Sequence, residues 1–209
     1  MDTASLNLLS RSVPGSRDIL NHAFEASGTF SLYDERTCSQ PRLRESCPTD
    51  CNRKILNIVS DEPLTIVSFD EWQTENPESK CDYLVFNSGE DKKQFAFCEL
   101  TCSIEKYVVP DGDKIGKRAK AFSQMAETWR LISESENPIF HADILRYRKK
   151  IGIFGWRDRE NRNTTGAMRS MNTFTRTPSS KVGISRFSDY AFGENFDFIQ
   201  VKYPYAFHW

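Results

Sequence analysis

Lys80-Cys-Asp-Tyr-Leu-Val-Phe-Asn87 and Gln94-Phe-Ala-Phe-Cys-Glu-Leu-Thr101, joined by Ser88-Gly-Glu-Asp-Lys-Lys93, decide how this chain folds. Two apolar runs around a short charged segment describe a β-hairpin. Side chains alternate across a strand, so Asp82, Leu84 and Phe86 share one face, and Phe95, Phe97, Glu99 and Thr101 share one face of the neighbour. Neither pattern needs its carboxylate. An acid among apolar strand residues is costly to bury without a cationic partner. Two of them on adjacent strands make a candidate divalent-metal site.

Around this hairpin the chain alternates between β-rich and helical patterns. Ser16 to Ala26 offers apolar positions at Ile19, Leu20, Ala23 and Phe24, with Ser16 as an N-cap and Gly28 beyond the end, which predicts a helix. Residues 34 to 53, rich in Pro, Ser, Cys and charge, form a loop by composition. Ile55–Val59 and Leu64–Phe69 are β-branched runs that predict two strands. Ile115 to Glu134 carries apolar residues at 115, 119, 122, 125, 126, 129 and 132, a helical stripe ending near Asn137-Pro138. Ile151-Gly-Ile-Phe-Gly-Trp156 predicts a buried strand. Residues 157 to 181 are polar and basic and predict a long loop. The aromatic tail from Phe196 to Trp209 is too apolar to hang free and is expected to add a strand or pack on the core.

Composition bounds the class. A chain of 209 residues, 38% hydrophobic and 12% aromatic, supports one substantial core, expected as a single domain over 1–209 with its core at about 16–156. No apolar run approaches the roughly 18 residues of a spanning helix, and the first ten residues lack the basic start and apolar centre of an export signal. The expectation is a cytoplasmic protein with no membrane association. Of six cysteines, Cys81 and Cys98 lie inside apolar strands, where free cysteine acts as a small hydrophobe. Cys47 and Cys51, with Cys38 nearby, are spaced as zinc ligands but lack a second well-spaced pair.

The net charge of −1 conceals an uneven layout. Eleven Lys or Arg fall between Ile144 and Ser188 against two acids, a net +9 that leaves −10 to the rest. Arg146, Arg148, Lys149, Lys150 and Arg157, with Tyr147, Phe154 and Trp156 interleaved, are the candidate nucleic-acid-binding residues. The plainer alternative is a solvated surface paired with acids of the same molecule.

The order helix, strand, strand, strand, helix, strand, with Cys81-Asp82-Tyr-Leu-Val-Phe, a turn and Phe97-Cys-Glu99-Leu-Thr101, resembles the PD-(D/E)xK nuclease superfamily over roughly residues 16–156. The resemblance implies an α/β fold, a restriction endonuclease-like mixed β-sheet flanked by helices. It also implies Mg²⁺ or Mn²⁺ held by Asp82 and Glu99, with Glu25 a further acid on the first helix. Phosphodiester cleavage on DNA or RNA, in a bacterial defence setting by analogy, is the implied activity. The family's lysine two residues beyond the Glu is Thr101 here. The resemblance then points to Lys120, with Lys117 or Lys106 as substitutes, in Lys117-Arg-Ala-Lys120-Ala-Phe-Ser-Gln124. The other reading is a catalytically inactive subunit of the same fold that binds nucleic acid, a protein partner or a second copy. A third is an α/β protein whose hairpin acids are incidental. No Gly-rich phosphate loop occurs, and His22, His141 and His208 sit in no hydrolase dyad.

Overall fold

The computed structural model describes residues 1–13, 18–33, 54–73, 80–89, 91–103, 107–110, 115–158, 183–188, 190–193 and 195–209. These form a mixed α/β fold: helix α1 (Thr3–Ser12), a 3₁₀ turn (Ile19–His22), β1 (Ala23–Tyr33), β2 (Ile55–Ser68), α2 (Phe69–Trp72), β3 (Tyr83–Asn87), β4 (Gln94–Ser103), α3 (Lys117–Ser133), α4 (Ile139–Leu145), β5 (Lys149–Asp158), β6 (Ile184–Phe187), β7 (Phe196–Lys202) and β8 (Ala206–His208). One mixed eight-stranded sheet runs in the order β1-β2-β3-β4-β5-β7-β6, with β8 alongside β2. From β1 to β4 each strand is antiparallel to the next, β5 lies parallel to β4 and β7 to β5, and β6 returns antiparallel to β7. A parallel partner for β4 needs a crossover, and α3 and α4 supply it.

The expected hairpin forms as β3 and β4, with Tyr83 opposite Cys98 and Leu84 opposite Phe97. Asn87 closes it: its Oδ1 accepts from the Gln94 backbone at 2.9 Å. The helix expected over 16–26 does not form. Asp18 caps only a 3₁₀ turn, accepting from the Leu20 N–H at 3.1 Å, and from Ala23 the backbone pairs with β2. The apolar spacing suited either element, and a ten-pair ladder with β2 outweighs one amphipathic helix. The two strands expected at 55–59 and 64–69 are one strand, β2, broken in register opposite Gly28. Gly28 is therefore not a helix terminus. Its φ of +74° serves a bulge, a conformation that a side chain would strain.

At that bulge the β1–β2 ribbon bends and its far half folds over the sheet. Tyr83, pointing to that face, donates its hydroxyl to the Tyr33 carbonyl at the end of β1. The sheet is thus covered twice. On one face Phe95, Phe97, Leu84, Phe86, Phe154 and Phe198 pack under α1, α3 and α4. On the other, Val85, Ala96, Cys98, Leu100, Ile151 and Ile153 pack against Leu32, Leu56, Ile58 and Phe207. The aromatic tail supplies β7 and β8, and the Trp209 indole donates to Asn87 Oδ1 at 3.0 Å. Cys81 and Cys98 are buried free thiols. Among the described residues no helix is long and apolar enough to cross a membrane.

Gly155 sits where the ribbon crosses β5: a Cβ there would lie 3.0 Å from Leu56 Cβ and 3.4 Å from the Ile55 carbonyl. Gly155→Ala is expected to lower stability by about 1–3 kcal/mol through overpacking. Urea unfolding checks this, with the midpoint moving and the slope unchanged.

Candidate active site

The strand pattern fixes both acids. Each register pair of the β3–β4 hairpin sums to the same total, so continuing one step past Tyr83 and Cys98 sets Asp82 opposite Glu99. Both fall on the helix-covered face, directly beyond the apolar rows of Leu84 and Phe97. Asp82 is 7% exposed and Glu99 6%.

Asp82 is held from three directions. Its carbonyl accepts from the Phe69 N–H at 2.9 Å, and its Oδ2 accepts from the Leu100 N–H at 2.7 Å. Its own N–H serves the Glu99 carboxylate. The ladder of β3 is thus finished by a side chain, which binds the acid rigidly to the strand carrying its partner.

Burial drives the Glu99 carboxyl well above the usual glutamate range, and the charges of Asp82 and Asp70 push it further. Lys54 and the Asp82 N–H oppose the shift without cancelling it. Glu99 Oε2 has no hydrogen-bond partner although it is fully buried.

These acids form the floor of a cavity of about 370 Å³, also lined by Lys54, Asp70, Lys80, Thr101, Lys117, Lys120 and Gln124. The helix α3 contributes Lys117, Lys120 and Gln124 at helical spacing along one side. The carboxylates and the helix residues singled out in the sequence, Asp82, Glu99 and Lys120, therefore meet in one place. Thr101 lies beside them, and Lys106 lies outside the described residues.

Glu25 does not join them. It sits on β1, opposite Thr65, in an ion pair with the N-terminal ammonium. Its expected helix is a strand, so its side chain is carried elsewhere.

Sequence reasoning overlooked Asp70, Lys54 and Lys80. Alternation back from Asp82 reaches Lys80, a signal that was available. Asp70 and Lys54 come from α2 and the residue before β2, and only the tertiary fold brings them in.

The basic candidates are spread out. Lys149 and Lys150 begin β5, while Phe154, opposite Glu99, is four or five residues further along, some 13–16 Å at strand rise. Lys150 is buried and donates to the Tyr147 carbonyl at 3.0 Å. Lys149 lies near the Phe207 ring, and Arg146 and Arg148 are exposed beside Asp143 and Asp91. Arg157 is buried at the other end of β5, over the Tyr203 ring. Arg159, Arg162, Arg169, Arg176 and Lys181, like Cys38, Cys47 and Cys51, lie outside the described residues. His141 packs against Trp129 and His22 lies near Glu71, away from any nucleophile pairing.

The donor set suits a hard cation. Two carboxylates face each other in a buried position, and one oxygen has no proton donor, so a divalent ion would satisfy both. Among the described residues no group of three or more His, Cys, Asp or Glu side chains is gathered closely enough to hold a metal alone. Mg²⁺ is commonly held by one or two carboxylates, with water and substrate phosphate completing the shell. No model of a known protein family matches the chain, and no curated protein or solved structure matches it.

Proposed function

We propose that the chain is a divalent-metal-dependent hydrolase of nucleic-acid phosphodiesters, built on a restriction endonuclease-like core. The observation that carries the reading is the facing buried pair, Asp82 and Glu99, on the floor of a cavity ringed by lysines. Acids alone would repel a phosphate and lysines alone would need no acids. Together they match a cation and a polyanion sharing one site.

Two features support it. Within the order α1, β1, β2, α2, β3, β4, α3, α4, β5, the run β2, β3, β4, α3, β5, with β5 parallel to β4, follows the strand–strand–strand–helix–strand part of the resemblance, without the helix expected over 16–26. Helix α3 also breaks a local rule: its first turn holds Lys117, Arg118 and Lys120 and no acid. Cations at the positive end of a helix cost about 0.3–1 kcal/mol each at low salt. Such local violations concentrate at functional sites, and a phosphate drawn to this end would reverse the penalty.

In this reading Asp82 and Glu99 hold Mg²⁺ or Mn²⁺, which supplies Lewis acidity and a water of lowered pKa. The Leu100 N–H orients Asp82, and the bond from the Asp82 N–H to Glu99 keeps the two carboxyl groups in register. Lys117 and Lys120, exposed at the cavity mouth, attract the backbone of the substrate.

Incubation with single-stranded and duplex DNA and with RNA, in Mg²⁺ or Mn²⁺, tests it. Cleavage is expected to disappear with chelation and in Asp82→Asn and Glu99→Ala. Cleavage that persists in Glu99→Ala would sink the assignment. Thr101, which cannot carry charge beside Glu99, favours a second reading: a non-catalytic module of this fold that binds nucleic acid. That reading gains if cleavage is absent and binding weakens steeply with salt.

A further inference from the structure

The cavity lysines differ in exposure, with Lys54 half-buried before β2. Lys117 and Lys120 stand on the first turns of α3, exposed, on long side chains that lose rotamer freedom when a contact orders them. Lys80 is 2% exposed and lines the same cavity. It lies two residues before Asp82, in the segment that leads into β3, and both residues line the cavity.

Lys80 is also firmly held. Its ammonium donates to Gln73 Oε1 at 2.9 Å. Its carbonyl accepts from Gln124 Nε2 at 3.1 Å. The following N–H, of Cys81, donates to Thr128 Oγ1 at 2.9 Å, and Thr128 in turn donates to the Gln124 carbonyl. Two side chains one turn apart on α3 therefore fix the backbone that carries Lys80 and Asp82. A buried ammonium is expensive to maintain. Here the fold holds it, pre-ordered by Gln73, at the wall of a cavity floored by acids.

Resting on the hydrolytic reading above, we propose that Lys80, clamped by Gln73, is the catalytic cation of this site and stands in for the charge that Thr101 cannot carry. Lys120 then contributes to binding only. In the step, the oxygen of water bonds to phosphorus and the P–O bond to the leaving sugar oxygen breaks with its electron pair. The water's proton passes to solvent and the leaving oxygen takes one from solvent. The Lys80 ammonium keeps its protons and hydrogen-bonds the non-bridging phosphate oxygen on which negative charge grows. A donor fixed before the reaction needs no reorganisation, the condition under which such contacts accelerate most.

The test compares single-turnover cleavage of a labelled oligonucleotide with Mn²⁺ uptake measured by titration calorimetry. Lys80→Met is expected to slow cleavage about 100-fold or more while Mn²⁺ uptake persists. Gln73→Leu leaves the lysine present but loosened, and is expected to slow cleavage about tenfold or more even if Lys80→Met proves poorly folded. Small alkylammonium ions are expected to restore part of the activity of Lys80→Ala and none of that of Glu99→Ala. Lys120→Ala is expected to give a smaller loss that low salt reverses. Wild-type rates in both Lys80→Met and Gln73→Leu, with Glu99→Ala dead, overturn the role of Lys80 and leave the hydrolase standing. A wild-type protein that takes up Mn²⁺ but cleaves nothing overturns both.

Discussion

Glu99→Gln is expected to raise the melting temperature of the metal-free protein while removing both its stabilisation by divalent cations and its cleavage of nucleic acid. The two effects share a cause. Glu99 is buried beside Asp82, and burial is the first reason its carboxyl stays protonated above the usual range, the Asp82 charge the second. A carboxyl whose folded pKa exceeds its unfolded one makes the native state bind more protons than the unfolded state. Stability therefore falls as pH rises from the usual glutamate value through the raised folded value. Above that, the full penalty is present. Glutamine is isosteric and neutral, so it removes the penalty and still offers the Asp82 N–H an acceptor. The gain is of order 1–3 kcal/mol near neutral pH and vanishes in acid, where Glu99 itself is neutral. For a chain of this size that is a rise of a few degrees, about 2–4 °C per kcal/mol.

The cation response has the opposite sign. A ligand bound only by the folded state adds roughly 2.7 kcal/mol at a hundred times its dissociation constant. That increment should appear in wild type with Mn²⁺, grow with pH as Glu99 ionises, and be absent from Glu99→Gln. Melting curves in chelator and in Mn²⁺ between pH 4 and 8 read both effects. A Glu99→Gln protein less stable than wild type across that range would mean that Lys54 compensates Glu99 fully, and the metal argument would lose its basis.

What the sequence disclosed, and what it withheld, follows from the range of the interactions. The β3–β4 hairpin, the shared face of Asp82 and Glu99, and the α3 stripe rest on periodicity and short connections, all local. The 18–33 region is different. Ile19, Leu20, Ala23 and Phe24 satisfy helical spacing, yet Ala23 to Tyr33 answers to β2, whose pairing residues lie more than twenty positions away. Likewise Asp61-Glu62-Pro63 looks like a break between strands and is instead the bulged part of one, opposite Gly28. Lys150 and Arg157 read as part of a basic face because charge counts ignore burial. In the fold both are covered, and the cations that line the cavity of the acids, Lys54, Lys80, Lys117 and Lys120, lie outside that tract. Basic density along a chain says little about which charges share a cavity.

The largest purely structural loss is expected from Lys92→Met, in a cluster distant from the cavity. Lys92 Nζ lies 3.1 Å from Asp2 Oδ2 and 3.0 Å from Asp143 Oδ2, and donates to Ser5 Oγ at 2.6 Å and Tyr147 Oη at 3.3 Å. Ser5 also donates to Asp2 at 2.8 Å, and the Asp2 N–H reaches Thr65 Oγ1 at 2.8 Å. One ammonium from the hairpin loop thus joins α1, α4 and the sheet. Burial alone would raise the Asp2 carboxyl and lower the Lys92 ammonium. The Ser5 and Lys92 bonds outweigh it for Asp2, which ends below its ordinary value, and the Tyr147 hydroxyl together with the bonds to Asp143 and Asp2 leaves Lys92 above its own.

Removing the lysine leaves buried Asp2 without its counter-ion and buried Asp143 with only the exposed Arg146 at 3.4 Å, a change expected to cost about 3–5 kcal/mol. The pH dependence separates this from simple loss of packing. Asp2, depressed in the fold, stabilises above the ordinary aspartate value, and that contribution is lost as pH falls through its lowered one. Lys92, elevated, stabilises below the ordinary lysine value, and its share is lost as pH rises through the folded one. Wild type should therefore lose stability at both extremes, and Lys92→Met should gain relative to wild type in acid, where its stranded acids are neutralised. Asp2→Asn combined with Asp143→Asn should recover much of the Lys92→Met deficit, since the cost lies in uncompensated charge. Urea unfolding of the four proteins at pH 4 and 7 decides it: a deficit unchanged by pH and by the two Asn replacements would assign Lys92 to packing alone.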